Sequence, residues 1–215
     1  MKSKNIVGTT IFLITVIVVF IVWRQLFSQS VVKFRPSDAA GEVLADEVSR
    51  LLGGKGEVVV VAPATVSANN ANGECLASFV AALQHRGTIK LGATVTIPHP
   101  PTPTLNWNVL QPEQLLDVMD KDSGVNALVI FTTLPSYSTA LADKLKAHSL
   151  TLVAVGGYDG NVRRWLESHA LALTVVPRIT PSVAGAFAPK TAREWFDSEY
   201  QLVTPENVGS LPNSY

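Results

Sequence analysis

The sequence predicts an α/β protein: a three-layer sandwich around a mainly parallel, five-stranded sheet, preceded by one transmembrane helix. Short β-branched runs such as residues 57–63 (EVVVVAP) are apolar throughout, as in strands that are buried on both faces of a parallel sheet. These runs alternate with amphipathic segments, which favours helical crossovers between parallel strands. A long uncharged stretch near the amino terminus predicts the transmembrane helix.

That stretch runs from Asn5 to Trp23 and contains no charged residue. As a helix it would be about 28 Å long, close to the ~30 Å hydrocarbon core of a bilayer. A cleaved signal peptide would have a shorter apolar region followed by small residues, whereas WRQLFSQSVVKF follows here. We therefore expect an uncleaved signal anchor over residues 1–27, with residues 6–23 in the membrane.

A juxtamembrane linker over residues 28–36 leads into a single α/β domain predicted over 37–181. Its first helix is expected to be capped by Ser37 or Asp38 and to stop at two glycines. The elements after it alternate in the order strand 57–63, helix 68–87, strand 88–97, proline-rich loop 98–107, helix 111–124, strand 125–133, helix 135–149, strand 150–157, helix 160–170 and strand 171–177.

The segment 182–215 is less regular and reads as a carboxyl-terminal tail. Within it, KTAREWFDSEYQ over residues 190–201 predicts one short helix capped by Thr191.

Composition excludes several classes of function. Lys+Arg and Asp+Glu each number 17, so the formal net charge is zero, whereas nucleic-acid-binding proteins carry a basic footprint. The single cysteine, Cys75, excludes an intrachain disulfide. Neither the histidines nor the carboxylates show metal-ligand spacing, so we expect no metal and no other cofactor.

Catalytic patterns are absent from the sequence as well. Ser136 lacks the G-x-S-x-G context of a hydrolase nucleophile, and no base is evident for Cys75. The acidic group at Asp117, Asp120 and Asp122 is more typical of a solvated helix end than of a calcium loop. We therefore expect no catalytic residue and a protein that is not an enzyme.

Three turns follow predicted strands, at 63–72, 132–136 and 156–161, and open parallel sheets bind ligands beyond the carboxyl ends of their strands. The first turn carries neutral hydroxyl and amide groups that suit sugar hydroxyls. The same groups suit a polar loop that only caps the next helix. These candidate residues are Ser67, Asn69, Asn70 and Asn72.

The third turn offers a carboxylate. Gly156 and Gly157 permit unusual backbone angles or a close approach, and Asp159 follows them. The Asp159 carboxylate could accept hydrogen bonds from ligand hydroxyls, or it could cap the helix that begins near Asn161. Both interpretations stay open at the level of the sequence.

The order of several segments resembles one lobe, the second, of the type I periplasmic sugar-binding proteins. The segments are LLGGKGEVVVVAP, ECLASFVAAL, NALVIFTT and LVAVGGYDGNVRRWLESHALALTVVP, and the resemblance covers residues 40–181. It implies that Tyr158 and Asp159 of the GYDG turn line a sugar cleft. Polar family residues are replaced at Cys75, at Leu134 and Pro135, and at Pro177, and the chain contains one lobe where the family closes two around its ligand.

The resemblance implies a membrane-anchored, extracytoplasmic module that binds a sugar or another small polar solute, linked to carbohydrate transport or sensing. Positive charges flank both sides of residues 6–23, so charge does not determine the orientation of this segment in the membrane. The family resemblance instead favours a single-pass protein with its domain on the periplasmic side. The alternative is a degenerate lobe that serves as an interaction module. Its partner would be a second lobe, a second copy of the chain or a transporter. A third hypothesis, an enzyme on a flavodoxin-like α/β scaffold, is less favoured because the sequence contains no catalytic pattern.

Overall fold

The computed structural model describes residues 35–64, 70–98, 109–121, 124–157, 159–178 and 189–210. The elements alternate along the chain in the order α1 (Pro36–Leu51), β1 (Gly56–Pro63), α2 (Ala71–Arg86), β2 (Ile89–Ile97), α3 (Pro112–Lys121), β3 (Ala127–Ile130), α4 (Thr139–Ala147), β4 (Thr151–Val155), α5 (Gly160–Glu167), β5 (Leu173–Pro177), α6 (Ala192–Glu199) and β6 (Tyr200–Val203). A short 3₁₀ turn, Val208–Ser210, follows.

The strands form one sheet in the order β2-β1-β3-β4-β5-β6. The first five pair in parallel, so the predicted α/β sandwich with a mainly parallel sheet is confirmed. The predicted number of five strands is wrong, because Tyr200–Val203 adds a sixth, antiparallel strand beside β5. Sequence analysis placed Tyr200 and Gln201 at the end of a helix, whereas helix α6 ends at Glu199.

Both faces of the sheet are covered, as the uniformly apolar strands predict. Side chains of β1 alternate between the two cores, with Val59 and Val61 on one face and Val58 and Val60 on the other, all fully buried. Helices α3, α4 and α5 pack on the first face, and helices α1, α2 and α6 pack on the second. The ends of the strands, where the turns lie, are therefore the part of the sheet left for polar groups.

Helix α1 starts differently from the prediction. It begins at Pro36, a favourable first residue because its fixed φ suits a helix, and neither Ser37 nor Asp38 occupies the cap position. The Ser37 hydroxyl instead donates a hydrogen bond to the Glu74 carboxylate on α2. This bond is the main reason that the pKa of Glu74 lies below its ordinary value, with burial opposing it and Arg35 adding to it.

Helices α1 and α2 run side by side in the same direction. Ser78 on α2 donates to the Asp38 carbonyl oxygen (2.7 Å), and further along both helices Arg86 pairs with Asp46 (2.5 Å). Between these contacts the helices approach closely at Gly41, where a Cβ atom would lie 2.7 Å from the Phe79 backbone nitrogen and also too close to the backbone of Cys75. Only glycine permits this approach.

No helix in the described ranges is long and apolar enough to cross a bilayer. The segment predicted to span the membrane, residues 6–23, lies outside those ranges.

Candidate functional site

A cavity of about 270 Å³ opens at the carboxyl edge of the sheet. The ends of the central strands and the first turns of helices α2 and α5 form it, with Pro63, Asn72, Thr132, Thr133, Leu134, Gly156, Gly157, Asp159 and Thr174 among its lining residues. The volume lies just below the range of about 300–1,000 Å³ that is typical of drug-sized ligands, so the cavity suits a small, partly enclosed molecule.

All three turns singled out in the sequence contribute to this cavity. Asn72 from the first turn and Asp159 from the third line the same space. Asp159 is the only formally charged residue in the described lining. The other polar side chains of this lining are one amide and the hydroxyls of threonines, which are groups able to form hydrogen bonds with a hydroxyl-bearing ligand.

Strand β4 ends at Val155, and Gly156, whose φ of 155° is rarely adopted by other residues, begins the turn that carries Asp159. Its carboxylate accepts a hydrogen bond from the Val162 backbone N–H (2.8 Å) and so caps helix α5. A carboxylate has room for several hydrogen bonds. Capping the helix and contacting a ligand in the cavity are therefore compatible roles for Asp159.

The candidates of the first turn separate in the structure. Asn72 is exposed and lines the cavity, whereas the Asn70 side chain accepts a hydrogen bond from the Gly73 backbone N–H (2.8 Å) and caps helix α2. Ser67 and Asn69, like Tyr158 of the third turn, lie outside the described residues. Their proposed contacts with a ligand stay predictions.

Sequence reasoning singled out the turn at 132–136 but named none of the cavity's threonines as site residues. Thr133 follows β3, and Thr174 lies inside β5, where it is 1% exposed. In LTVVP a threonine looks like any other β-branched strand residue. Only the pairing of β5 with β4 places Thr174 beside the turn that carries Asp159.

Asn161 holds the second and third turns together. Its side-chain amide nitrogen donates to the Pro135 carbonyl oxygen (3.1 Å), and its Oδ1 accepts from the Tyr137 backbone N–H (2.6 Å). Trp165 Nε1 donates to the same Pro135 oxygen (3.0 Å). These bonds fix the turn that follows β3 without placing Asn161 in the cavity wall.

We expect Asn161→Ala to lower the free energy of unfolding by about 1–3 kcal/mol, because the partly buried Tyr137 N–H loses its acceptor. Urea denaturation measures the change. Asn72→Ala on the same rim is the matched control and should stay within about 0.5 kcal/mol of wild type, since Asn72 is exposed. Equal stability of the two variants would contradict the bracing role of Asn161.

Cys75 lies on helix α2 close to the sheet and is 4% exposed. Burial, with a smaller contribution from Asp38, raises the pKa of its thiol to about 12. Since the thiolate is the reactive form, Cys75 is inert in the folded protein at neutral pH. No group of histidine, cysteine, aspartate or glutamate residues suited to a metal ion occurs in the part of the chain that the structure describes.

Several solved structures of similar fold are sugar-binding proteins. They include the arabinose-binding protein AraP from Geobacillus stearothermophilus (TM-score 0.52, 16% identity, 81% of this chain and 62% of that one). A solute-binding protein of an ABC transporter from Burkholderia graminis, in complex with D-arabinose, matches with a TM-score of 0.57 at 12% identity, over 81% of this chain and 62% of that one.

A third similar structure is an ABC-transporter solute-binding protein from Agrobacterium vitis with bound α-D-tagatopyranose (TM-score 0.54, 15% identity, 80% of this chain and 57% of that one). The chain thus spans about three fifths of the length of these proteins. No family model and no curated protein matches the sequence. At these identities the likeness shows the fold, and the predicted resemblance to type I periplasmic sugar-binding proteins is confirmed at that level.

Proposed function

We propose that the chain is a membrane-anchored, extracytoplasmic module that binds a sugar or a similar small polyol at the carboxyl edge of its sheet. The observation that carries the proposal is the meeting of Asn72, Asp159 and several threonines around one cavity, on a fold shared with sugar-binding proteins. The proposed role is recognition of a carbohydrate for transport or sensing, without catalysis.

The first test is binding itself. Titration calorimetry and thermal shifts with D-arabinose, D-galactose, D-glucose and D-tagatose, each up to millimolar concentration, should give saturable binding for at least one sugar. A ligand that binds only the folded state raises its stability by mass action. No heat and no shift across this panel would refute the sugar-binding half of the proposal.

Substitution at Asp159 separates helix capping from ligand contact. Asn is as good a helix cap as Asp, so Asp159→Asn should leave the melting temperature nearly unchanged. It should weaken sugar binding about tenfold, because a charge-assisted hydrogen bond becomes a neutral one. Calorimetry on this variant and on Asp143→Asn, an exposed carboxylate on α4, makes the comparison.

The outcomes of this comparison are distinct. Wild-type affinity in both variants would remove Asp159 from the ligand contacts. A similar loss of affinity in the Asp143→Asn control would show that a general charge effect, and not a contact in the cavity, is being measured.

Membrane attachment is tested on the full chain. After expression with its first residues intact, the protein should float with membranes and resist extraction at alkaline pH, because residues 6–23 are long and apolar enough to span a bilayer. Removal of residues 1–34 should move it to the soluble fraction. Release of the full chain by alkaline washing, or cleavage after residue 27, would refute the anchor.

The runner-up function is an interaction module without a small ligand. It is favoured by the loss of polar family residues around the cavity, since Cys75 is buried and Leu134 is apolar. Cross-linking in membranes should then give one defined complex with a second copy or with a transporter subunit. A strictly monomeric species at high concentration, together with saturable sugar binding, would decide against this function.

A further inference from the structure

One buried threonine interrupts the apolar interior of the sheet. The other buried residues of strands β1, β3, β4 and β5 are all apolar, whereas Thr174 in β5 is polar and only 1% exposed. Burying a hydroxyl costs free energy unless the hydroxyl forms a hydrogen bond, so packing alone would favour a valine at this position. The Thr174 hydroxyl therefore needs a hydrogen-bond partner.

The protein supplies no such partner from the residues that the structure describes. Within those ranges the Thr174 hydroxyl forms no hydrogen bond with another residue. Its direct neighbours in the sheet are Ala154 on β4 and Val203 on β6. A buried water molecule bridges about two to four polar groups, and the side chains of these two neighbours provide none. The partner is therefore expected from a molecule that enters the cavity.

Thr174 lies at the inner end of that cavity. In β5, Leu173 and Val175 belong to the core on the second face of the sheet, so Thr174 faces helices α3, α4 and α5 on the first. The cavity extends from Thr174 to the exposed rim at Asp159. Three core residues of the first face also line the cavity, namely Leu134, Ala154 and Val162.

We propose that Thr174 is a specificity-determining contact, whose hydroxyl forms a hydrogen bond with one hydroxyl of the bound ligand at the inner end of the cavity. The contact rests on the proposed function, since it belongs to the same site. The ligand class that fits is a small sugar or polyol that directs one hydroxyl inwards and packs its C–H groups against the apolar wall. A site of this kind discriminates against analogues that lack the hydroxyl.

The first measurement is stability without ligand. Thr174→Val exchanges the hydroxyl for a methyl group, so the melting temperature of the full chain should equal that of wild type or exceed it by roughly 2–4 °C. Thr151→Val, at the amino end of β4, is the matched control for this exchange in the same sheet. A melting temperature below wild type in Thr174→Val alone would reveal a structural partner of the hydroxyl and overturn the proposed contact.

The second measurement is affinity, by calorimetry with D-arabinose, D-galactose, D-glucose and D-tagatose. Thr174→Val should weaken the binding of each sugar that binds wild type by about tenfold or more, because the inward hydroxyl would be buried against a methyl group. Thr174→Ser keeps the hydroxyl and should bind at least about threefold more tightly than Thr174→Val. Thr151→Val should match wild type. Wild-type affinity in Thr174→Val, or no advantage of serine over valine, would overturn the contact.

Monodeoxy derivatives of the bound sugar identify the hydroxyl that meets Thr174. One derivative should bind wild type about as weakly as the parent sugar binds Thr174→Val. The valine variant should then cost this derivative nothing further, because both changes remove the same hydrogen bond. If Thr174→Val weakened every monodeoxy derivative as much as the parent sugar, the bond would not exist.

These outcomes differ from failure of the proposed function. Saturable binding of a sugar with equal affinity in wild type and Thr174→Val would keep the function and refute the contact. Absence of binding to wild type across the four sugars would refute the function, and the contact with it.

Discussion

Trp165→Ala is expected to lower the free energy of unfolding by about 3–5 kcal/mol, the largest effect of any single change considered for this chain. Trp165 on helix α5 is fully buried in the core on the first face of the sheet. Its ring meets Tyr137 edge-on, with 5.4 Å between the ring centroids. Truncation would leave a large cavity and remove the hydrogen bond from Nε1 to the Pro135 carbonyl oxygen. Urea denaturation measures this loss of stability, and the m-value should stay unchanged.

Trp165→Phe is the control for this prediction. It keeps most of the ring packing against Tyr137 and removes only the indole N–H, while Asn161 still donates to the Pro135 oxygen. Its cost should therefore be clearly smaller, about 1–2 kcal/mol. A loss below about 1 kcal/mol in Trp165→Ala would contradict the packing described for α5.

Gly41→Ala should destabilise the protein by about 2 kcal/mol or more, against the ordinary preference of helices for alanine. In an exposed helix interior this change would gain about 1 kcal/mol. Here the added Cβ would lie 2.7 Å from the Phe79 nitrogen and 2.8 Å from the Ser78 Cβ, and backbone atoms cannot rotate out of the way. Helices α1 and α2 would have to separate, which loses packing along both.

Gly160→Ala provides the matched comparison for Gly41. It is also a glycine within a helix, but its Cβ would meet nothing within 4 Å. Thermal and urea denaturation should find it within about 0.5 kcal/mol of wild type. If Gly41→Ala proved as stable as Gly160→Ala, the close approach of the two helices would be wrong.

The parallel core of the fold could be predicted from the sequence because its signals are local. A run such as that of β1 is apolar on both sides, and two faces of burial require a parallel sheet between helices. The sixth strand could not be predicted in this way. Helix α6 ends at Glu199 and β6 begins at the next residue, Tyr200, so no glycine or proline marks the boundary. The extended conformation of Tyr200 depends on its pairing with Pro177.

The candidate site could be predicted in outline from the rule that ligands bind beyond parallel strands. That rule led to Asn72 and Asp159, which the structure places at one cavity. It could not lead to Thr174, whose role depends on strand order, or to Asn161, whose bonds join residues 24 and 26 positions away. Contacts between side chains so far apart along the chain produce no periodic pattern in a single sequence.

The sixth strand determines where this protein can be shortened for experiments. β6 covers the outer backbone groups of β5, and Phe196 before it is fully buried against the second face of the sheet. A fragment that stops at residue 181 would uncover that edge, and bare strand edges recruit strands from other molecules. Fragments made for crystallisation or binding assays should therefore extend at least through Val208, which packs into the opposite core.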